Sequence, residues 1–367
     1  MNRLIIAFTL GLIQITLSLI VLGSTNSHLP FQSSTVLAST HTTPGFVQIG
    51  YYSGTFEAIA VNFPYAYLGD SSLDDESHYL HIFDISNLTN PISISSILVS
   101  DNITNAGIYD IALTANVVLV ANGTLGVQII DVSNPISPTI ISQIDTPGHA
   151  RKMVISDTLV FVADGSAGLQ IIDISDILTP TITGHSAQNT ASDIVIANHY
   201  AYLGGKELGI FDIANPVSPT LVSTYSTDFP TRLIAAGDAT DNYLFAPKTT
   251  FPPSGGFVTL NISNPLSITE ISQWSSPGFR ESCRNVQYQA TLIYMSCVSG
   301  DLSGAIYILN MSNPMTPVLQ HSYTVHSAQQ FAISNDYVFV ASDSFFDGGF
   351  YILKLLTQTI YLPIVAR

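Results

Sequence analysis

Charged side chains are scarce in this sequence. They make up 10% of the 367 residues, against about 25% in a typical soluble domain. Basic residues are the scarcest, since 10 lysines and arginines stand against 26 aspartates and glutamates, for a net charge of −16. Because binding to nucleic acid depends on a basic surface, this composition argues against DNA or RNA as a general partner.

Long apolar segments are also rare, and the clearest one lies at the N-terminus. Residues 4–22 form an uncharged, mostly apolar run after Arg3, and the Val21–Gly23 segment offers a cleavage site. We therefore predict a signal peptide over residues 1–23. The alternative is a retained anchor, because the run is close to membrane-spanning length. Either way we expect the rest of the chain outside the cytoplasm, at the cell surface or secreted, with no membrane span after signal cleavage.

What the chain has in abundance is one repeated strand. The cleanest copy begins at Val127 and reads Val-Gln-Ile-Ile-Asp-Val-Ser-Asn-Pro. The polar residue of this strand recurs at positions 84, 131, 173, 212, 261, 310 and 354. A period of about 45 residues is typical of a four-stranded propeller blade. The sequence therefore predicts an all-β, seven-bladed β-propeller of four-stranded blades over residues 46–356.

The ends of the repeat region predict how the ring closes. The last copy has no fourth strand after Leu356, whereas residues 46–52 resemble the fourth strands of other blades. We expect this N-terminal strand to pair with the last blade, which would remove an exposed sheet edge and favour a monomer. Residues 24–45 are rich in Ser and Thr and are interpreted as a flexible lead. The tail, residues 357–367, is either a processing or retention tag or a strand on the last blade.

The recurring aspartate is interpreted as a turn residue. It ends the third strand and is followed by Ser-Asn-Pro or a related sequence, in which Asp bonds its own backbone and Pro presets φ. In later blades the position is held by Asn261, Asn310 and Lys354, which suits a turn better than catalysis. The four aspartates are Asp84, Asp131, Asp173 and Asp212.

These strands, together with the Tyr-Ala-Tyr-Leu-Gly and Ser-Asn-Pro-x-Ser-Pro-Thr segments, resemble the LVIVD-repeat proteins. The resemblance covers roughly residues 46–356 and is strongest in blades two to four. That family implies a secreted or surface-exposed bacterial β-propeller. It implies no established reaction and no catalytic residues.

Most basic residues cluster at one predicted face. Seven of the ten fall on loops between the fourth and first strands (D–A), on loops between the second and third strands (B–C), or at the start of a first strand. Ligands of propellers usually meet this face, and gathered cations favour an anion such as a carboxylated or sulfated glycan. The candidate ligand-binding residues are Arg151, Lys152, Arg232, Arg280, Arg284, His149, Asp110 and Asp193.

A second interpretation of the same face is a polar channel whose charges satisfy one another. Aligned first strands give one column, which reads Ala58, Asp110, Lys152, Asp193, Arg232, Asn285 and Gln330. Blades two to five alternate Asp, Lys, Asp and Arg, so Asp110 and Asp193 could form structural ion pairs with Lys152 and Arg232. Arg151, Arg280 and Arg284 would then be the cations left for a ligand.

Metal and cysteine patterns add little chemistry. His149, His185 and His326 all lie on D–A loops, but they do not align at one position of the repeat, so we predict no metal site there. Calcium near Asp70, Asp74 and Asp75 stays open as a cofactor, although their spacing does not match a calcium-binding loop. Cys283 and Cys297 lie symmetrically about a predicted hairpin turn, which predicts a disulfide in an exported chain. Two free thiols are the alternative.

The sequence therefore predicts an extracellular or cell-surface binding module. Its partner would be a surface protein or an anionic polysaccharide, met at the face that carries the D–A and B–C loops. The alternative is a propeller lyase or glycoside hydrolase acting on an acidic glycan through the same face. A third interpretation is a purely structural surface protein. No residue in the sequence stands out as catalytic.

Overall fold

The computed structural model describes residues 45–356 with internal gaps. The gaps are residues 71–76, 102–105, 188–189, 227–235, 239–242, 249–254, 278–280, 300–303 and 345–347. All regular structure in the described part is β-strand. Within it, no helix has the length and apolar character needed to cross a bilayer.

The 28 strands form seven antiparallel sheets of four strands each, labelled A to D in every blade. The A strands, in blade order, are β2 (Phe56–Asn62), β6 (Asp110–Thr114), β10 (Lys152–Ser156), β14 (Asp193–Ala197), β18 (Ala236–Asp238), β22 (Glu281–Gln289) and β26 (Ala328–Ser334). The B strands are β3 (Tyr65–Asp70), β7 (Val117–Ala121), β11 (Leu159–Ala163), β15 (Tyr200–Gly204), β19 (Tyr243–Lys248), β23 (Leu292–Ser299) and β27 (Tyr337–Ser342).

The outer half of each blade consists of the C and D strands. The C strands are β4 (His78–Asp84), β8 (Val127–Asp131), β12 (Leu169–Asp173), β16 (Leu208–Asp212), β20 (Gly256–Asn261), β24 (Gly304–Asn310) and β28 (Gly349–Leu355). The D strands are β5 (Ile92–Ser100), β9 (Thr139–Ile144), β13 (Thr181–Ser186), β17 (Thr220–Tyr225), β21 (Thr269–Ser275), β25 (Val318–Thr324) and β1 (Phe46–Ser53).

The blades form a ring with the A strands innermost. Each A strand contacts the A strands of both neighbouring blades, from β2 through β26 and back to β2. The apolar core lies between successive sheets, as where Phe161 of blade three packs with Phe211 of blade four. We call the end of the ring with the D–A and B–C loops the mouth face, and the end with the A–B and C–D turns the turn face.

Blade seven takes its D strand from the start of the propeller. β1 pairs antiparallel with β28, from Phe46 opposite Leu355 to Ser53 opposite Gly349. The strand order of this sheet is β1-β28-β27-β26. The backbone amide of Leu356 also donates to the carbonyl of Gly45, at 2.9 Å.

The turn role of the recurring aspartate is confirmed. The Asp131 carboxylate accepts a hydrogen bond from the Ser133 amide at 2.8 Å, and the Asn261 side chain accepts from the Ser263 amide at 2.9 Å in the same way. In blade three the D strand begins at Thr181. The residues before Thr181 form a turn in which the Thr179 amide donates to the Asp176 carbonyl at 3.1 Å. Pro180 has no amide hydrogen to donate to a neighbouring strand.

The C–D turn of one blade is tied to the D strand of the preceding blade. In four blades a D-strand serine hydroxyl donates at 2.5 Å to a carbonyl in the next blade's turn. The pairs are Ser95 with Pro135, Ser142 with Ile177, Ser223 with Pro265, and Ser272 with Pro314. Blade three has Gly184 at this position, and a Cβ added to it would lie 1.9 Å from the Pro216 carbonyl oxygen.

We expect Gly184→Ala to lower the free energy of unfolding by about 1–3 kcal/mol, because the added methyl group forces the two blades apart. Gly184→Ser is expected to cost less, since its hydroxyl can donate to the Pro216 carbonyl as the serines of other blades do. Urea unfolding of both variants measures the difference. Equal losses for alanine and serine would contradict this account of the contact.

The predicted disulfide is present. Cys283 and Cys297 are bonded, with 3.9 Å between their Cα atoms, and they lie directly opposite each other on β22 and β23. Both cysteines are fully buried.

Candidate functional site

Residues at the start of the A strands, or directly before it, line the mouth of the central channel in the described blades. Side chains normally alternate between the two faces of a strand, but blades one, six and seven each carry a β-bulge near the start of strand A. The residues left unpaired are Glu57, Arg284 and Gln329. A bulge redirects the side chain of its extra residue, so these residues and the ones that follow them can both face the channel.

These positions define two stacked rings. The outer one, which we call the rim ring, comprises Glu57, Tyr109, Arg151, Ser192, Arg284 and Gln329 in the described blades. The inner one, the floor ring, is the column predicted from the sequence. Its described members are Ala58, Asp110, Lys152, Asp193, Asn285 and Gln330. The rim ring is the same column moved back by one residue.

The rim ring surrounds a cavity of about 680 Å³ at the mouth face. A second cavity of about 310 Å³ lies further along the channel and is lined by residues of the A strands. The two cavities share Lys152, Asn285, Gln287 and Gln330. The floor ring therefore lies between a larger outer chamber and a smaller inner one.

Side chains of the floor ring, and of Gln287 two residues after its member Asn285, cross-link the blades. Gln330 donates through Nε2 to the Tyr109 carbonyl of blade two at 2.9 Å, and its Oε1 accepts from the Ile59 amide of blade one at 3.4 Å. Gln287 of blade six donates to the Phe331 carbonyl of blade seven at 2.7 Å. These bonds join neighbouring and next-neighbouring blades, which is a structural use of polar side chains.

Lys152 belongs to this structural set. Its Nζ lies 2.7 Å from Oδ1 of Asp110, and the exposed fractions of the two side chains are 29% and 4%. The other oxygen of Asp110 accepts from the Met153 amide at 2.9 Å. Burial lowers the pKa of Lys152, but the carboxylates of Asp110 and Asp193 raise it by more, so the net pKa lies above its usual value. The expected ion pair between Asp110 and Lys152 is therefore present.

The rim ring contains two arginines, Arg151 and Arg284, that are not part of the ion pair in the floor ring. Arg284 is exposed and donates to the Gln329 side chain of the next blade. Arg151 is partly exposed and lines the same cavity. Tyr109 lies beside them, and its ring meets the His149 imidazole edge to face with centroids 4.7 Å apart. Burial and the Glu57 carboxylate raise the pKa of Tyr109, whereas Arg151 opposes that rise.

The structure thus brings together part of the predicted set. Arg151, Lys152, Asp193 and Arg284 line one cavity, and His149 lies against its wall through Tyr109. Arg232 and Arg280 lie outside the described residues. Sequence reasoning missed Glu57, Tyr109 and Gln329, although each directly precedes a residue of the predicted column.

The histidine and aspartate clusters of the sequence show no shared site in the described part of the chain. Asp70 accepts from the Tyr79 amide at 2.7 Å and lies 3.3 Å from Nε2 of His81, so blade one engages this carboxylate itself. Asp74 and Asp75 fall outside the described residues. Across the described ranges, no group of three or more His, Cys, Asp or Glu residues could hold a metal. Calcium near Asp70 stays a prediction.

Comparison with known proteins agrees with this architecture. The model of the family described as LVIVD repeat matches residues 53–99, 108–146, 147–186 and 189–227. The β-propeller domain of Cps50 (Swd1) from Myceliophteria thermophila is similar, with 10% identity, a TM-score of 0.60, and coverage of 83% of this chain and 97% of that chain. The computationally designed protein Ika8 is also similar, with 10% identity, a TM-score of 0.57, and coverage of 85% of this chain and 100% of that chain.

No protein among those with curated descriptions matches the chain. At 10% identity, the similar structures support the fold alone. The matched stretches correspond to blades one to four. The chain is a seven-bladed β-propeller that carries LVIVD repeats in its first four blades.

Proposed function

We propose that this propeller is an exported binding module that takes an anionic ligand into the mouth cavity. The observation that carries the proposal is the placement of two arginines in the rim ring, outside the ion pair of the floor ring. Asp110 already pairs with Lys152 in the floor ring, whereas Arg151 and Arg284 stand in the rim ring around a cavity of about 680 Å³. That volume lies within the range of small-ligand sites.

A carboxylated or sulfated polysaccharide suits this cavity best. Arginine binds carboxylate and sulfate groups through paired N–H donors. Amide side chains such as Asn285 and Gln329, and the hydroxyl of Tyr109, can bond the neutral hydroxyls of a sugar. An open mouth also admits one part of a chain whose remainder stays in solvent. Export is supported by the N-terminal apolar run and by the disulfide.

The test is a binding measurement with polygalacturonate and chondroitin sulfate, and with dextran as a neutral polymer. We expect Arg151→Ala/Arg284→Ala to weaken binding of the anionic polymers about 100-fold, because each charged hydrogen bond contributes about 1.5–3 kcal/mol. The matched control is Lys206→Ala/Lys354→Ala, which removes the same charge from residues that do not line the cavity. Equal losses of binding in both double variants would mean that binding depends only on the net charge of the protein, which would refute the site.

A second candidate function is a lyase or glycoside hydrolase acting on an acidic glycan. The placement of Tyr109 against His149, beside Arg151, favours it because a tyrosine and a histidine could transfer protons next to a bound carboxylate. The raised pKa of Tyr109 opposes a role as a base at neutral pH. Incubating the same polymers with the protein and following unsaturated products and new reducing ends separates binding from turnover.

A further inference from the structure

The turn face carries an unusual set of exposed apolar side chains. Five consecutive blades each expose one aliphatic residue at the tip of the C–D turn, with exposed fractions from 64% to 71%. These residues, which we call the aliphatic arc, are Ile136, Leu178, Val217, Leu266 and Met315. Single exposed aliphatic residues are common. Here, however, four different residue types all place an exposed apolar side chain at the same position of the repeat. Blade one has Thr89 at this position.

The turns hold the aliphatic arc in fixed positions. Each member occupies the third position of a reverse turn, as in blade two, where the Ser137 amide donates to the Asn134 carbonyl at 2.9 Å. The residue before it is tied to the preceding blade in blades two, three, five and six, through the serine hydroxyls described above. A turn held this way loses little backbone conformational entropy when a partner covers it.

The surroundings of the aliphatic arc are acidic. Asp131, Asp173, Asp176 and Asp212 lie in the same turns. Hydrogen bonds from the Ser133 hydroxyl and amide lower the pKa of Asp131, and those from the Ser175 amide and hydroxyl lower the pKa of Asp173. Both carboxylates therefore stay ionised at neutral pH. Of the lysines and arginines in the described ranges, Lys354 lies at this end of the ring.

We infer that the aliphatic arc and its carboxylates bind a basic protein surface. Apolar pockets on the partner would receive the five aliphatic side chains, and its lysine or arginine side chains would meet the carboxylates. Charge complementarity selects this partner. An anionic lipid surface would be repelled by the same carboxylates. The inference concerns the face opposite the mouth cavity, so it does not depend on the proposed ligand.

The experiment uses the full chain and a fluorescently labelled amphipathic peptide of leucine and lysine as the probe. The test variant replaces Ile136, Leu178, Val217, Leu266 and Met315 with serine. Because these side chains are exposed, we expect thermal stability close to that of the unmodified protein, and peptide binding weaker by about tenfold or more. Binding should also weaken as salt increases, because the carboxylates are exposed.

A matched control removes the same number of aliphatic side chains elsewhere. Ile92, Leu98, Ile140, Val318 and Leu319 are exposed on the D strands at the outer edge of the ring, and their replacement with serine should leave peptide binding unchanged. Three results would overturn the inference. They are unchanged binding in the test variant, an equal loss in the control variant, or arc-dependent binding to neutral or anionic lipid vesicles in place of the peptide.

Discussion

Replacing Asp110 with asparagine is expected to lower the free energy of unfolding by about 3 kcal/mol. Removing one partner of a buried ion pair typically costs about 3–5 kcal/mol, and the partly exposed Lys152 side chain favours the lower end. Asparagine keeps the shape of the residue and can still accept the hydrogen bond from the Met153 amide, which Asp110 accepts at 2.9 Å. The substitution therefore isolates the charge. Urea unfolding followed by tryptophan fluorescence measures the effect.

The double variant Asp110→Asn/Lys152→Met is the control. It removes both charges and leaves no buried ammonium without its partner, so we expect it to be more stable than the single variant. A loss below about 1 kcal/mol in the single variant would show that Asp193 alone satisfies Lys152.

The effect should also depend on pH in a defined direction. The pKa of Lys152 is raised in the folded protein above its usual value of about 10.4. From neutral pH up to about pH 10.4 the ion pair therefore contributes fully, and its contribution is lost as pH rises through the higher, folded-state pKa. The gap in stability between the unmodified protein and the Asp110→Asn variant should stay constant through neutral pH and shrink in strongly alkaline solution.

Loss of the Cys283–Cys297 disulfide is expected to lower the free energy of unfolding by about 3 kcal/mol. The bond joins residues 14 apart in the chain. Closing a loop of this size lowers the conformational entropy of the unfolded chain, which stabilises the folded protein by about 3 kcal/mol. The bond also lies next to the bulge at Arg284, where the register between β22 and β23 shifts. Unfolding of the Cys283→Ala/Cys297→Ala variant, compared with the unmodified protein, measures the loss.

Reduced, unmodified protein is the comparison that keeps both sulfur atoms in place. Both cysteines are buried in the cluster with Ile293 and Met295, so the alanine variant also loses packing there. We expect reduction alone to reproduce most of the effect. If the reduced protein unfolds at the same denaturant concentration as the oxidised protein, the bond adds nothing to stability.

The repeat made the fold readable from the sequence. Each blade satisfies the same local rules, so the Asp131 turn and the strand that precedes it could be copied onto six other positions. The same regularity placed Cys283 opposite Cys297, because strands joined by a short turn have a fixed register. The column containing Asp110 and Lys152 came from the same alignment.

The mouth cavity was harder to predict because it depends on departures from the repeat. The bulges at Glu57, Arg284 and Gln329 bring residues from the adjacent position into the channel, and no sequence period marks them. The bond from Gln330 to the Tyr109 carbonyl joins residues 221 positions apart. Such contacts follow from ring geometry, so the sequence could name Arg151 and Arg284 as cations of this face but could not show that Tyr109 lies beside them.

The pairing of β1 with β28 has a consequence for how the molecule is made. These strands come from opposite ends of the propeller sequence, so β1 is the first propeller strand to be synthesised and cannot pair until nearly all of the other strands have followed. Contacts between such distant segments slow folding. During that interval β1 has an unpaired edge and the aromatic side chains of Tyr51 and Tyr52, which invites pairing with other chains. A polypeptide released before β28 is complete would therefore contain six complete blades, and its β1 strand would stay available to pair with another chain.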